Sequence, residues 1–273
     1  MAEFDFKQNY GIDDLLGIMK ILRKDCPWDK EQTHRSIRMN FIEEAYEVLE
    51  AIDTENTELL REELGDVLLQ VVFHSEMEAE KEEKGSFDFD GVCDGICKKL
   101  ILRHPHIFGD TTVSGTAQVL DNWEKIKERS KNLETYTDTL ESVAKSLPAL
   151  MYAQKIGKKA AAAGMDFPEV TDVFECVRSE TVELENAVKN KNPVDIEEEL
   201  GDLLFSCVNL ARHLKIDAES ALLRAAKKFT ERFSITENLI RQNGIDMKSL
   251  CINELDAYWN KAKKLKNGGN TND

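Results

Sequence analysis

Glycine and proline are scarce in this sequence, with 14 and 5 residues out of 273. Both interrupt helices, glycine through backbone entropy and proline through a missing donor and a clash with the preceding turn. Their scarcity predicts a mostly helical chain. Long hydrophobic runs are missing too. The best, Val67 to Phe73, is broken by Gln70 and falls far short of the roughly 18 residues of a membrane span. Positive charge is the minority sign: 36 Lys and Arg against 52 Asp and Glu leave a net charge of −16. Such a surface excludes a broad nucleic-acid-binding role and disfavours an anionic membrane. Six cysteines are present (Cys26, Cys93, Cys97, Cys176, Cys207 and Cys251) but no Cys-x-x-Cys pair, so they read as reduced thiols. The first residues, Met1-Ala2-Glu3-Phe4-Asp5, lack the basic and apolar regions of a signal peptide, and the expected location is the cytoplasm. No phosphate-binding P-loop, Ser-His-Asp or Cys-His arrangement is found.

What is present is a repeat. Glu62-Glu63-Leu64-Gly65-Asp66 recurs letter for letter as Glu198-Glu199-Leu200-Gly201-Asp202, at an offset of 136. Upstream, Glu44-x-x-Glu47 recurs as Glu180-x-x-Glu183 at the same offset. Downstream, Lys98-Lys99-Leu100 and Arg103 resemble Lys227-Lys228-Phe229 and Arg232, and Trp123 with Lys127 matches Trp259 with Lys263. Four matched blocks in one order mark a duplicated unit.

Apolar periodicity makes these blocks helical. Phe41, Ala45, Val48, Leu49 and Ile52 form one stripe; Leu60, Leu64, Val67, Leu68, Val71 and Val72 form a second. Leu200, Leu203, Leu204, Cys207, Val208 and Ala211 repeat the second stripe. Thr33 and Asp195 are expected to start the helices that follow them. The expected organisation is all-α, with two tandem helical bundles over residues 1–131 and 146–267. Residues 132–145 read as a linker, and 268–273 as a disordered tail.

Residues three apart share a helix face. Glu44 with Glu47, and Glu63 with Asp66, therefore point together from two helices, as do Glu180 with Glu183 and Glu199 with Asp202. One Glu-x-x-Glu pair alone is an ordinary solvated face. Two quartets with the same fifteen-residue gap call for a shared purpose. Four carboxylates beside an apolar stripe repel one another and lose hydration, and a divalent cation relieves both costs. Hard oxygen ligands select Mg²⁺, Mn²⁺ or Ca²⁺. A di-iron bundle needs Glu-x-x-His on two helices, and the one match, Glu31-x-x-His34, has no counterpart in the second copy.

Lys228 and Arg232, like Lys99 and Arg103, are i, i+4 neighbours. Beside a carboxylate-held cation they would suit the uncovered oxygens of a triphosphate, and Trp259 or Trp123 would suit a base. Taken singly, the cations are solvated helix faces and the tryptophans core residues. His104-Pro105-His106 reads as a turn at a helix end.

Cys26-Pro27-Trp28-Asp29, the two quartets, Arg103-His104-Pro105-His106-Ile107-Phe108-Gly109 and Asn209-Leu210-Ala211-Arg212-His213-Leu214 together resemble the MazG family of nucleoside triphosphate pyrophosphohydrolases. The resemblance spans about residues 10–265. It implies homodimers and Mg²⁺-dependent cleavage of nucleoside triphosphates to monophosphate and pyrophosphate, with Mn²⁺ able to substitute. It also implies a catalytic second unit, with Glu180, Glu183, Glu199 and Asp202 on the metal. Lys228, Arg232, Trp259 and Lys263 would then contact the nucleotide. Attack at the α-phosphorus is likewise implied by the family. Where the family often has Lys before the first metal ligand, this chain has Cys176, with Arg178 as its expected replacement; Asp195 and Ala226 replace a further Lys and an Asn. Two other readings stand beside this one: a non-catalytic nucleotide- or partner-binding dimer, and a narrower all-α deoxynucleotide pyrophosphatase.

Overall fold

The computed structural model describes residues 4–81 and 83–268, with side chains through 265. Among the described residues every regular element is a helix, as the scarcity of Gly and Pro predicts. The chain divides into two compact units, Met1–Lys127 and Glu128–Asp273. The first holds α1 (Ile12–Asp25), α2 (Asn40–Asp53), α3 (Thr57–Ala79), α4 (Phe89–Arg103) and α5 (Pro105–Phe108), and most of α6 (Thr116–Ser130). The second holds α7 (Tyr136–Glu141), α8 (Ala149–Ala162), α9 (Val170–Asn190), α10 (Pro193–His213), α11 (Ala218–Gln242) and α12 (Ile252–Gly268). No described helix is long and apolar enough to cross a membrane.

The repeat is built into the backbone. Helices α2 and α3 form a hairpin, and so do α9 and α10. In each the turn passes through a left-handed residue 136 positions apart, Glu55 at φ 52° and Lys191 at φ 57°. A side chain in that region costs about 1–2 kcal/mol, so packing of the two helices must hold it there. The next residue is an asparagine in both turns. Asn56 Oδ1 accepts from the Leu59 N–H at 3.1 Å, and Asn192 Oδ1 from the Val194 N–H at 3.1 Å. Each caps the second helix of its hairpin. Buried positions repeat at the same offset: Ile37 and Val173, Ala51 and Ala187, Gln70 and Ser206, Val72 and Val208.

Three local expectations change. Helix α2 begins at Asn40, not after Thr33. Thr33 and Ser36 exchange side-chain-to-backbone hydrogen bonds at 2.9 and 3.2 Å and close a turn instead. Helix α10 begins at Pro193 behind its Asn192 cap, where a missing N–H costs nothing. Asp195 sits in the first turn and accepts from Asn192 Nδ2 at 2.7 Å. Residues 132–145, expected as a linker, carry α7, because Thr135 and Asp138 form a reciprocal capping box. Of the expected tail, residues 269–273 lie outside the described residues; Gly268 ends α12.

The apolar stripes are only partly covered. Leu49, Ile52, Leu64 and Leu68 in the first unit, and Leu200 and Leu204 in the second, remain exposed.

Candidate functional site

The α9–α10 hairpin brings Glu180, Glu199 and Asp202 together, one carboxylate oxygen from each lying within 4.8 Å of the others. Burial pushes the Glu180 and Glu199 carboxyls above the usual range, and repulsion from Glu183 and Asp202 pushes them further. Glu183 stands just outside the trio, exposed, and accepts from Ser179 Oγ at 2.8 Å. The Cys176 thiol lies 3.9 Å from Glu180 Oε1 and 3.4 Å from the buried Ser206 hydroxyl. No cationic side chain pairs with the trio among the described residues. Arg178, the expected replacement for a family lysine, is ion-paired with Glu175 instead.

The α2–α3 hairpin does the same with Glu44, Glu63 and Asp66. Desolvation raises the Glu44 and Glu63 carboxyls, and Asp66 and Glu47 add repulsion at Glu44, Glu47 and Asp66 at Glu63. Glu47 is again the outlying member. Both sets are oxygen-only, crowded and partly desolvated, which fits a hard divalent cation.

The basic and aromatic residues behave differently in the two copies. On α11, Lys228 is exposed and Arg232 half-buried. The Arg232 Nε, like the Arg103 Nε of the first copy, is buried without a hydrogen-bond partner. Trp259 on α12 packs against Phe229, ring centroids 5.1 Å apart, and Lys263 reaches Asn260 at 3.3 Å. In the first copy the Arg103 guanidinium lies over Trp123 at 5.3 Å, and His104 meets the same ring edge-on at 4.8 Å. Helix α4 stops at Arg103, and Pro105 opens α5, so His104-Pro105-His106 is the expected break.

Two groups of functional character are brought together by the fold and were not joined in the sequence reading. Asp166, after α8, accepts from both Arg212 terminal nitrogens and from His213 Nε2 at 2.8 Å. The Arg212 guanidinium holds Asp166 down to about 2. Arg212 Nε also donates to Asn209 Oδ1 at 2.9 Å. In the first unit His34 and His74 share a hydrogen bond between their Nδ1 atoms at 2.7 Å, and His34 Nε2 meets Glu78 at 2.8 Å. Asn209, Arg212 and His213 belong to a motif used for the resemblance, but their pairing crosses 46 residues to Asp166, a distance no local pattern encodes.

Comparison with known proteins gives a consistent picture. A MazG nucleotide pyrophosphohydrolase domain model matches residues 32–108 and 169–234. Those segments contain both quartets, Lys99, Arg103, Lys228 and Arg232, but neither tryptophan. The chain is 43% identical over 253 residues to the nucleoside triphosphate pyrophosphohydrolase/pyrophosphatase MazG of Thermotoga maritima, covering 92% of this chain and 95% of that protein. It is 42% identical over 260 residues to the nucleoside triphosphate pyrophosphohydrolase of Escherichia coli K12, covering 93% and 97%.

Proposed function

The chain belongs to the MazG nucleotide pyrophosphohydrolase family, and on that premise we propose that it hydrolyses nucleoside triphosphates to nucleoside monophosphate and pyrophosphate, with the α9–α10 carboxylates as the metal end of its active site. The observation that carries this reading is the trio Glu180, Glu199 and Asp202: three carboxylates within 4.8 Å, with no cationic side chain paired to them among the described residues. Their charge is a cost to the fold unless a ligand offsets it. Glu180, Glu199 and Asp202, with Glu183 one turn away, would hold Mg²⁺ or Mn²⁺. When bound, the ion supplies charge withdrawal from phosphate oxygens and a polarised water.

The chain's own residues do the rest. A carboxylate of the quartet takes a proton from the attacking water. Lys228 and Arg232 face the charge on the phosphates; the orphaned Arg232 Nε is a donor in want of an acceptor. Trp259 and Lys263 complete the nucleotide contacts. The α2–α3 quartet is a second metal site of the same chemistry. The exposed leucines of each unit, Leu64 and Leu68 in the first and Leu200 and Leu204 in the second, offer an apolar face to a second copy in a homodimer. The six free thiols suit the cytoplasm.

The experiment is to incubate the protein with Mg²⁺ and a panel of triphosphates and separate the products. Nucleoside monophosphate and pyrophosphate are expected. Nucleoside diphosphate and orthophosphate would place the attack at the γ-phosphorus and overturn this reading.

A further inference from the structure

The second unit holds a cavity of about 440 Å³ whose lining includes Phe167, Phe205, Asn209, Arg212 and Gly157. Its walls are mostly apolar, with a few polar groups, which is the make-up of a small-ligand pocket. It continues the face of α10 that carries Glu199 and Asp202. Glu199, Asp202, Phe205, Asn209 and Arg212 follow at spacings of three, three, four and three residues and form one ridge. At about 1.5 Å per residue, Asn209 lies about 10 Å along the helix from Asp202. That is the scale of the step from the phosphates of a nucleotide to its base.

The first copy shows what the space becomes when it is not kept open. At the offset of the repeat, Asn209 corresponds to Phe73 and Phe205 to Leu69. Phe73 is 4% exposed, lies 6.5 Å from the Trp28 ring, and joins Met19, Ile37, Val72 and Met77 in a core. The flanking positions Val72 and Val208 are buried in both units. The second copy therefore keeps Val173 and Val208 buried but replaces the plug with an amide. That amide has a set orientation. Arg212 Nε donates to its oxygen, and Asp166 clamps Arg212 in turn. Asn209 Nδ2 is left as a donor without a partner among the described residues.

We infer that this cavity receives the base of the nucleotide whose phosphates meet the α9–α10 quartet. The inference rests on the reading of that quartet as a triphosphate site. Phe167 and Phe205 line the cavity with aromatic surface suited to a planar base. Asn209 Nδ2 donates to a carbonyl or ring-nitrogen acceptor on the base edge. Asp166 and Arg212 are positioning residues: they hold Asn209 and tie the segment bearing Phe167 to α10. Trp259, the ring expected from sequence to stack a base, packs against Phe229 with the ring planes tilted by 43° and borders the nucleotide without selecting it.

The test compares kcat/KM for nucleoside triphosphates with kcat/KM for methyl triphosphate, which carries the phosphates without base or sugar. Asn209→Phe installs the residue of the first copy. Gly157→Leu fills the cavity from α8, where a Cβ would meet Arg212 Nε at 3.7 Å, an ordinary contact. Each variant should lower the ratio of the two kcat/KM values by about tenfold or more, chiefly through KM. Folding is checked by circular dichroism. Equal falls for both substrates, no fall, or a fall seen only in Trp259→Ala overturn the assignment. If the wild-type chain cleaves no triphosphate, the quartet reading fails on its own. Calorimetry with a nucleoside monophosphate then tests the cavity separately: binding lost in Asn209→Phe supports it, and absence of binding overturns it.

Discussion

Glu63 on α3 and Glu199 on α10 stand 136 residues apart at the same register of their hairpins, yet Glu63 is only 8% exposed and counts among the buried residues, while Glu199 is half-buried. The same letter thus sits in two settings. In the first copy the carboxylate is buried; in the second it keeps more of its exposure.

That difference decides which copy should work. Glu199→Gln or Asp202→Asn should lower triphosphate turnover by about a hundredfold or more, beyond what loss of an outer-shell partner costs a metal site. Glu63→Gln should cost much less turnover. Because it removes a charge that burial and its neighbours disfavour, it should leave thermal stability in EDTA equal or higher. Activity lost in Glu63→Gln and kept in Glu199→Gln, with both folded, would reverse the assignment.

The α9–α10 carboxylate trio predicts a pH dependence of its own. Burial and like charges raise the Glu180 and Glu199 carboxyls. A carboxyl raised in the folded state contributes most to stability at pH below its unfolded value, and that contribution is lost as pH rises through the folded value. The metal-free protein is therefore strained at neutral pH, where an added cation helps most. The melting-temperature gain on adding Mg²⁺ should grow from about pH 5 to about pH 8. A gain that is the same across this range, or that survives in Glu180→Gln/Glu199→Gln, would contradict the site.

Asp166 has the opposite sign. Held to about 2 by Arg212 and His213, against 3.8 ordinarily, it contributes stability above its unfolded value and loses it as pH falls through the folded one. Asp166→Asn should melt lower than the wild-type chain at neutral pH. The gap should close between pH 3.8 and about 2. A constant gap down to the lower limit would assign the loss to packing instead of charge.

The exposed apolar face predicts association. Leu204 is 53% exposed on the helix that carries Glu199 and Asp202. Light scattering should show a dimer at micromolar concentration, and Leu204→Glu should shift it toward monomer. A wild-type monomer with full turnover would remove the need for a partner.

The local layer of this molecule was legible in its residues. Scarce glycine and proline, apolar stripes of period 3.6 and a five-letter repeat led to helices, duplication and two carboxylate quartets, because each depends on neighbours within a turn or two. Helix starts were less legible. Thr33 looks like a cap, but His34 is drawn onto His74 and Glu78, and only tertiary contact shows that α2 must wait until Asn40. Residues 132–145 lack a strong apolar period, yet a capping box is enough for one short helix within them.

What the tertiary structure alone decided is how the two quartets differ. Letter for letter they are equal, and counting carboxylates cannot rank them. Burial is a property of what packs around a residue, and the packing along the matched helices differs: Phe73 meets Trp28 in the first unit, whereas Asn209, held by Arg212 and Asp166, lines a cavity further along α10 in the second. Those partners come from separate helices and loops, so their meeting follows from the fold and from no spacing in the sequence.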